Sequence, residues 1–353
     1  MKNLESSKEI LHSCSKCGLC QSVCPLYKAS GNDCTVSRGM FIMLRGYLNN
    51  EFKLTSKIND YLDMCLKCGA CSNFCPSEID VVDIICQAKA EYFKLHKSEK
   101  IMSLIDKHVI LGLGFKLLSF FRRNSKSKKF DKKVVYFGGC ANKIRSNKAI
   151  INLLNKCKIE VLNPDFECCG VMFLMRGDFE TFNTYIKSYI AKLKKVGIKD
   201  VVTTCASCEK ILKKYTKWSD DEYLKDVNIK NIYEYIVENS LQFELKKEQK
   251  ISYHKPCNIK NFEQIKYLLE NTKNLEYIEM RDFDKCCGLN GLPKTFKYKI
   301  LYKIFKSKRD CIINSGAKKI LTSCLGCETA LKTYSFGAYE VEDLIEFLSK
   351  NAK

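Results

Sequence analysis

Several of the features by which a sequence usually announces an activity are missing here. No convincing GxGxxG or Walker-type phosphate loop occurs, and no nucleophile stands in an obvious pairing with a base. The N-terminal run MKNLESSKEILHS holds no apolar stretch of signal-peptide length. The apolar stretch VILGLGFKLLSFF is 13 residues long, is interrupted by Lys116, and is too short to span a bilayer. These absences predict a chain with no nucleotide site and no hydrolytic centre of its own. They also predict neither a secretion signal nor a membrane span.

The bulk composition adds little. With 353 residues, 46% hydrophobic and 28% charged, the chain has room for two or three domains, each with its own core. The formal charge of +20, from 60 basic and 40 acidic side chains, favours anionic partners: nucleic acid, an anionic membrane face or an acidic protein. Thiolate-bound metal would offset part of that excess.

Cysteine is the abundant residue, at 22. A chain this long without a signal peptide is not a disulfide scaffold, so the reading is a reducing cytoplasm with thiolates kept for metal. The spacing C-x2-C-x2-C-x3-C-P occurs twice, as CSKCGLCQSVCP with Cys14, Cys17, Cys20 and Cys24, and as CLKCGACSNFCP with Cys65, Cys68, Cys71 and Cys75. Three closely spaced thiolates suit three irons of one cubane, while the fourth, beyond a turn, reaches the neighbouring cluster. The expected ligand sets are therefore crossed. Cys14, Cys17, Cys20 and Cys75 hold a first [4Fe–4S] cluster, and Cys65, Cys68, Cys71 and Cys24 hold a second. Gly18 and Gly69 let each loop curl near its cluster. Structural zinc, which pairs two CxxC knuckles, has no use for two such quartets.

A second pattern fills residues 134–353. Cys140, Cys168, Cys169, Cys205 and Cys208 recur as Cys257, Cys286, Cys287, Cys324 and Cys327, and KDVVTTCASCEKILKKY lies over KKILTSCLGCETALKTY. A period this long marks two copies of a whole domain. Each copy alternates strand and helix, with its first cysteine and its CxxC pair following strand ends. Ligands bind at that edge in open α/β sheets. Five thiolates per copy exceed what a cubane needs. Either one stays unligated or the cluster is non-cubane with shared thiolates; zinc on four of the five is the alternative. The expected organisation is a helical two-cluster domain at 1–100, an apolar-then-basic linker at 101–133, and α/β domains at 134–245 and 246–353.

The repeated cysteine, CCG triplet and CxxC pair resemble the tandem cysteine-rich CCG domain. That domain occurs in heterodisulfide reductases, the anaerobic glycerol-3-phosphate dehydrogenase C subunit and the glycolate oxidase iron–sulfur subunit. With CPLY, SRG and CLKCGACSNFCPS, the N-terminal block is most similar to the glycolate oxidase subunit. The resemblance covers nearly the whole chain. It implies an electron-transfer subunit beside a separate FAD-binding dehydrogenase chain that oxidises a 2-hydroxy acid and passes electrons toward quinone. A catalytic CCG centre that cleaves a disulfide is the competing expectation, and a glycerol-3-phosphate complex would use the same architecture. A zinc-rich nucleic-acid binder is disfavoured by the paired quartets.

Weaker signals remain. The apolar stretch and the basic residues after it, Arg122, Arg123, Lys126, Lys128, Lys129, Lys132 and Lys133, suit either an anionic membrane surface or a packed linker. His254, three residues before Cys257, is either a hydrogen-bond donor to a cluster thiolate or a turn residue. Cys86, Cys157 and Cys311 are expected as buried small apolar residues in helices, and Cys34 as a loop thiol.

Overall fold

The computed structural model describes residues 3–96, 125–139, 147–164, 166–259, 262–289 and 298–353. Its contacts divide the chain into two compact units. The first draws on residues 1–108, 172–182 and 286–307, and the second on the remainder.

Helices and tight turns make up the described part of residues 3–96, with no strand among them. The helix Ser37–Leu48 buries Met40, Phe41, Leu44 and Leu48 on one face, as three-to-four-residue apolar spacing requires. Thr55 caps the helix Ser56–Met64 by accepting from the Ile58 amide, and Asp80 caps Val81–Leu95 by accepting from the Asp83 amide. Each cap satisfies a helix N–H that would otherwise lack a partner. Ile58, Leu62, Ile84, Ile85, Ala88 and Tyr92 join the Ser37–Leu48 face in one core, against which Cys14, Cys65, Cys71 and Cys75 pack.

The second unit holds two sheets of one design. Strands β1 (Lys132–Tyr136), β2 (Ile159–Leu162), β3 (Asp200–Thr203) and β4 (Asn228–Asn231) form a sheet in the order β2-β1-β3-β4. Strands β5 (Glu244–His254), β6 (Lys273–Tyr277), β7 (Lys319–Thr322) and β8 (Glu340–Asp343) repeat it as β6-β5-β7-β8. Every pairing within the two sheets is parallel. One apolar core serves both, joining Val134, Tyr136 and Val202 of the first sheet to Ile251, Tyr253 and Leu321 of the second. The chain order reverses between β1 and β3, and again between β5 and β7. The carboxyl ends of those strands are the place where a doubly wound sheet opens a crevice.

The helical N-terminal block followed by two α/β repeats agrees with the expected fold class. Helices Phe179–Val196 and Tyr298–Asn314 follow the CCG triplets of the first and second repeats. No helix among the described residues is long and apolar enough to cross a membrane. Of the apolar-then-basic segment on which the membrane-surface expectation rested, residues 101–124 lie outside the described residues, and Lys132 and Lys133 belong to β1.

Candidate metal centres

The two quartet loops share one backbone. Lys16 and Lys67 have φ of 58° and 52°, and the glycines two residues on, Gly18 and Gly69, have φ of 84° and 76°. The left-handed turns lift Cys17 and Cys68 around the loop and start the short helices Leu19–Val23 and Ala70–Asn73. Pro25 then begins the helix Pro25–Ser30 at the position where a missing N–H costs nothing, with Cys24 as its N-cap.

These loops border two cavities. One is lined by Cys14, Cys17 and Cys20 together with Cys71 and Cys75 from the second motif. The other is lined by Cys65, Cys68 and Cys71 together with Cys24 from the first. Ser37, Cys71 and Val81 line both, so the two spaces share a wall. Backbone amides reach sulfur in the second: Tyr27 N–H donates to Cys24 Sγ at 3.5 Å, and Lys67 N–H to Cys65 Sγ at 3.3 Å.

The cavities differ in their access to water. Among the described residues Cys17 is the exposed cysteine. The Leu19 amide holds its thiol below the usual value. In the second cavity burial pushes Cys24 up to about 12 and raises Cys71 as well. Such thiols give up their protons to a bound cation rather than to water. Convergent sulfurs, five lining the first cavity and four the second with Cys71 common to both, fit thiolate-ligated clusters.

In the first α/β repeat, Cys169 and Cys208 Sγ lie 3.5 Å apart. Cys168 is hydrogen-bonded with Cys169, and Cys205 with Cys208, so four of the five expected thiols touch in sequence. The bond from Cys208 lowers Cys205 to about 7. Cys205 caps the helix Ala206–Leu212 just beyond β3. Tyr215 Oη donates to the Cys169 carbonyl at 2.8 Å. Gly170, at φ 71°, turns its amide back to Cys168 Sγ at 3.4 Å. Cys140 lies outside the described residues.

In the second repeat, Gly288 at φ 85° donates to Cys286 Sγ at 3.5 Å. The glycine of each CCG triplet thus makes the same amide-to-sulfur bond. Cys324 caps Leu325–Ser335 beyond β7, and Cys257 follows the end of β5. Cys286 and Cys287 group with the first compact unit, and Cys257, Cys324 and Cys327 with the second. His254 is the last residue of β5 and fully buried, with a ring nitrogen within 4.8 Å of Cys327 Sγ. It is a core residue rather than a turn residue. The equivalent position in the first repeat, 117 residues earlier, is Phe137, whose ring packs on Phe166 and Tyr189. The two CCG centres are therefore lined differently, which the matching cysteines alone do not reveal.

Residues 10–79 match the 4Fe-4S dicluster domain, and residues 134–213 and 251–332 match the cysteine-rich CCG domain. The chain is an iron–sulfur protein of dicluster-plus-tandem-CCG type. Its similarity to other CCG proteins runs along nearly its full length. It is 24% identical to a fumarate reductase (CoM/CoB) subunit of Methanothermobacter marburgensis, over 96% of this chain and 72% of that one. It is 23% identical to a probable glycolate oxidase iron-sulfur subunit of Bacillus subtilis, over 91% of this chain and 88% of the relative. Another 23% match is a dihydromethanophenazine:CoB–CoM heterodisulfide reductase subunit of Methanosarcina acetivorans, over 96% and 93%. A hypothetical protein from Helicobacter pylori shares the fold at a TM-score of 0.53, with 12% identity over 90% of this chain and 67% of that one.

The cysteines outside the CCG and quartet motifs divide. Cys86 and Cys157 are buried as expected. Cys34 sits in the short turn Asp33–Thr35. Cys311 is only half-buried, because its place near the end of Tyr298–Asn314 turns Sγ toward the Asp282 carboxylate, 3.9 Å away.

Proposed function

We propose that this iron–sulfur protein is the electron-transfer subunit of an oxidoreductase complex in which a partner chain carries FAD and oxidises a 2-hydroxy acid of the glycolate or lactate kind. Electrons then leave toward a quinone or another acceptor. Cys14, Cys17, Cys20 and Cys75 ligate a first [4Fe–4S] cluster, and Cys65, Cys68, Cys71 and Cys24 a second. When bound, such clusters accept and donate single electrons. The observation that carries this reading is the exchange of fourth cysteines between the two cavities, which share a wall. Each motif completes its neighbour's ligand set, so the two centres form a short wire rather than two separate structural knots.

The CCG cysteines are assigned to two further centres, one drawn from Cys140, Cys168, Cys169, Cys205 and Cys208, the other from Cys257, Cys286, Cys287, Cys324 and Cys327. Iron–sulfur clusters are the expected occupants, with zinc the alternative at one of them. The chain of touching thiols from Cys168 to Cys205 favours a second reading, in which the first CCG centre itself reduces a disulfide, as the name of the Methanosarcina relative would suggest for that protein.

Anaerobic purification followed by iron, acid-labile sulfide and zinc counts, with EPR of reduced and oxidised samples, tests the reading. About sixteen irons per chain correspond to four four-iron clusters, and about eight to the quartets alone. Zinc without iron, even after reconstitution, would rule out electron transfer. Dye-linked disulfide reduction by the isolated chain separates the second reading from the first, which requires the flavin partner.

A further inference from the structure

We propose that Lys67 sets the reduction potential of the second cluster through a buried positive charge, one that its counterpart Lys16 does not provide to the first. The inference rests on the cluster assignment above.

The chain contains its own control. Lys16 and Lys67 occupy the same place in CSKCG and CLKCG, and both adopt the left-handed conformation before the second cysteine of their loop. Motif and backbone match, but the surroundings do not. Lys16 is exposed, whereas Lys67 is only 5% exposed. The Lys67 ammonium donates to the Cys65 carbonyl at 3.3 Å, and its own amide donates to Cys65 Sγ. A cation is therefore folded back onto the ligand loop of the second site. The nearby buried Lys89 is different, because Asp63 matches its charge. The acceptor for Lys67 is a neutral carbonyl.

Reduction adds one electron, and so one negative charge, to a cluster. Solvent exposure, net charge and hydrogen bonds to sulfur set how readily that charge is accepted. At the first site, exposure at Cys17 admits water, which solvates it. The second loop is more enclosed, with Leu66 and Lys67 buried, and enclosure disfavours an added negative charge. A cation inside the low-dielectric loop opposes that penalty, because charge interactions there are much less screened than at the surface. The two clusters are thus kept reducible by different means, water for the outer one and Lys67 for the inner one. An electron arriving at the exposed rim can then pass inward.

The test uses the full chain, reconstituted anaerobically, as wild type and as Lys67→Gln, Lys67→Met, Lys67→Arg and Lys16→Gln. Iron and sulfide are counted first. EPR-monitored titration with dithionite and viologen mediators then gives the midpoint potentials. Lys67→Gln and Lys67→Met are expected to lower the midpoint of one ferredoxin-type cluster and leave its partner in place. Lys67→Arg keeps the charge and should titrate as wild type, and Lys16→Gln should move neither cluster. The proposal is overturned if both neutral variants titrate as wild type, or if Lys16→Gln shifts a cluster as far as they do. Loss of about four irons from both neutral variants but not from Lys67→Arg would also overturn it, by assigning the lysine to cluster assembly. Absence of iron from the wild type would instead defeat the cluster reading itself.

Discussion

Single side chains decide whether the two quartets are coupled. Cys75 belongs in sequence to the second motif yet lines the cavity of the first, and Cys24 does the reverse. Replacing Cys75 by Ala should therefore remove the cluster of Cys14, Cys17 and Cys20, not that of its sequence neighbours. Iron analysis should show a loss of about four irons per chain. In the double variant Cys75→Ala/Cys17→Ala the loss should stay near four. In Cys75→Ala/Cys68→Ala it should approach eight. Loss of about eight irons from Cys17→Ala with Cys75→Ala would mean that the ligands are not crossed.

Lys89 makes a second prediction at this scale. It is 1% exposed and bonded to Asp63 and Asn59, and burial pulls its ammonium down to about 8 against the opposing pull of Asp63. Unfolded, the lysine keeps its proton to about 10.4; folded, it loses it above about 8. Between those values the unfolded state binds more protons, so stability rises with pH across that window. Relative to Lys89→Met, the wild type should gain up to about 3 kcal/mol from pH 8 to 10.5. Denaturant unfolding at several pH values measures this, and a gap that does not change with pH would contradict it.

At the scale of elements, much was legible in the sequence, and the failures have physical causes. Long amphipathic helices such as Phe179–Val196 carry enough apolar repeats to fix their bounds. Strand β3, in KDVVTTC, announces itself by adjacent β-branched residues. The short parallel strands β4 (NIKN) and β8 (EVED) do not, because four residues with polar alternation look like turns. The first half of β5, ELKKEQK, is almost wholly polar and becomes a strand through pairing with β6. The crossed lining of the two cavities is what the quartet spacing leads one to expect, since the fourth cysteine of each motif lies beyond a turn. The burial of Lys67 was not, since an identical motif leaves Lys16 in solvent. Nor was the close approach at Gly177. There φ is +79°, and a Cβ would fall 2.4 Å from the Ala90 amide nitrogen in the helix Val81–Leu95. Gly177→Ala combines a left-handed alanine with a backbone clash, and should destabilise the first unit by roughly 2–4 kcal/mol. Thermal unfolding should show it as an early transition, whereas Gly197→Ala, with a similar left-handed φ and open space around it, should cost only about 1 kcal/mol.

At the scale of the whole molecule, the net charge of +20 bears on the partner rather than on the fold. Many of the lysines pair locally, as Lys194 does with Asp221 and Lys199 with Asp226, and exposed pairs of that kind add little to stability. The unmatched excess remains available to steer an anionic partner, and in the proposed complex an acidic face on the flavin-binding chain would be its target. Steering of this kind acts on encounter rather than on residence. Salt shortens the screening length from about 10 Å at 0.1 M to about 3 Å at 1 M. The association rate with the partner should therefore fall by about tenfold or more over that range, while dissociation changes much less. Surface-immobilised binding at stepped ionic strength would measure both rates. An association rate indifferent to salt would mean that the basic surface plays no part in recognising the flavin chain. The partner would then have to be held by apolar contacts, and the charge excess would need another anionic target.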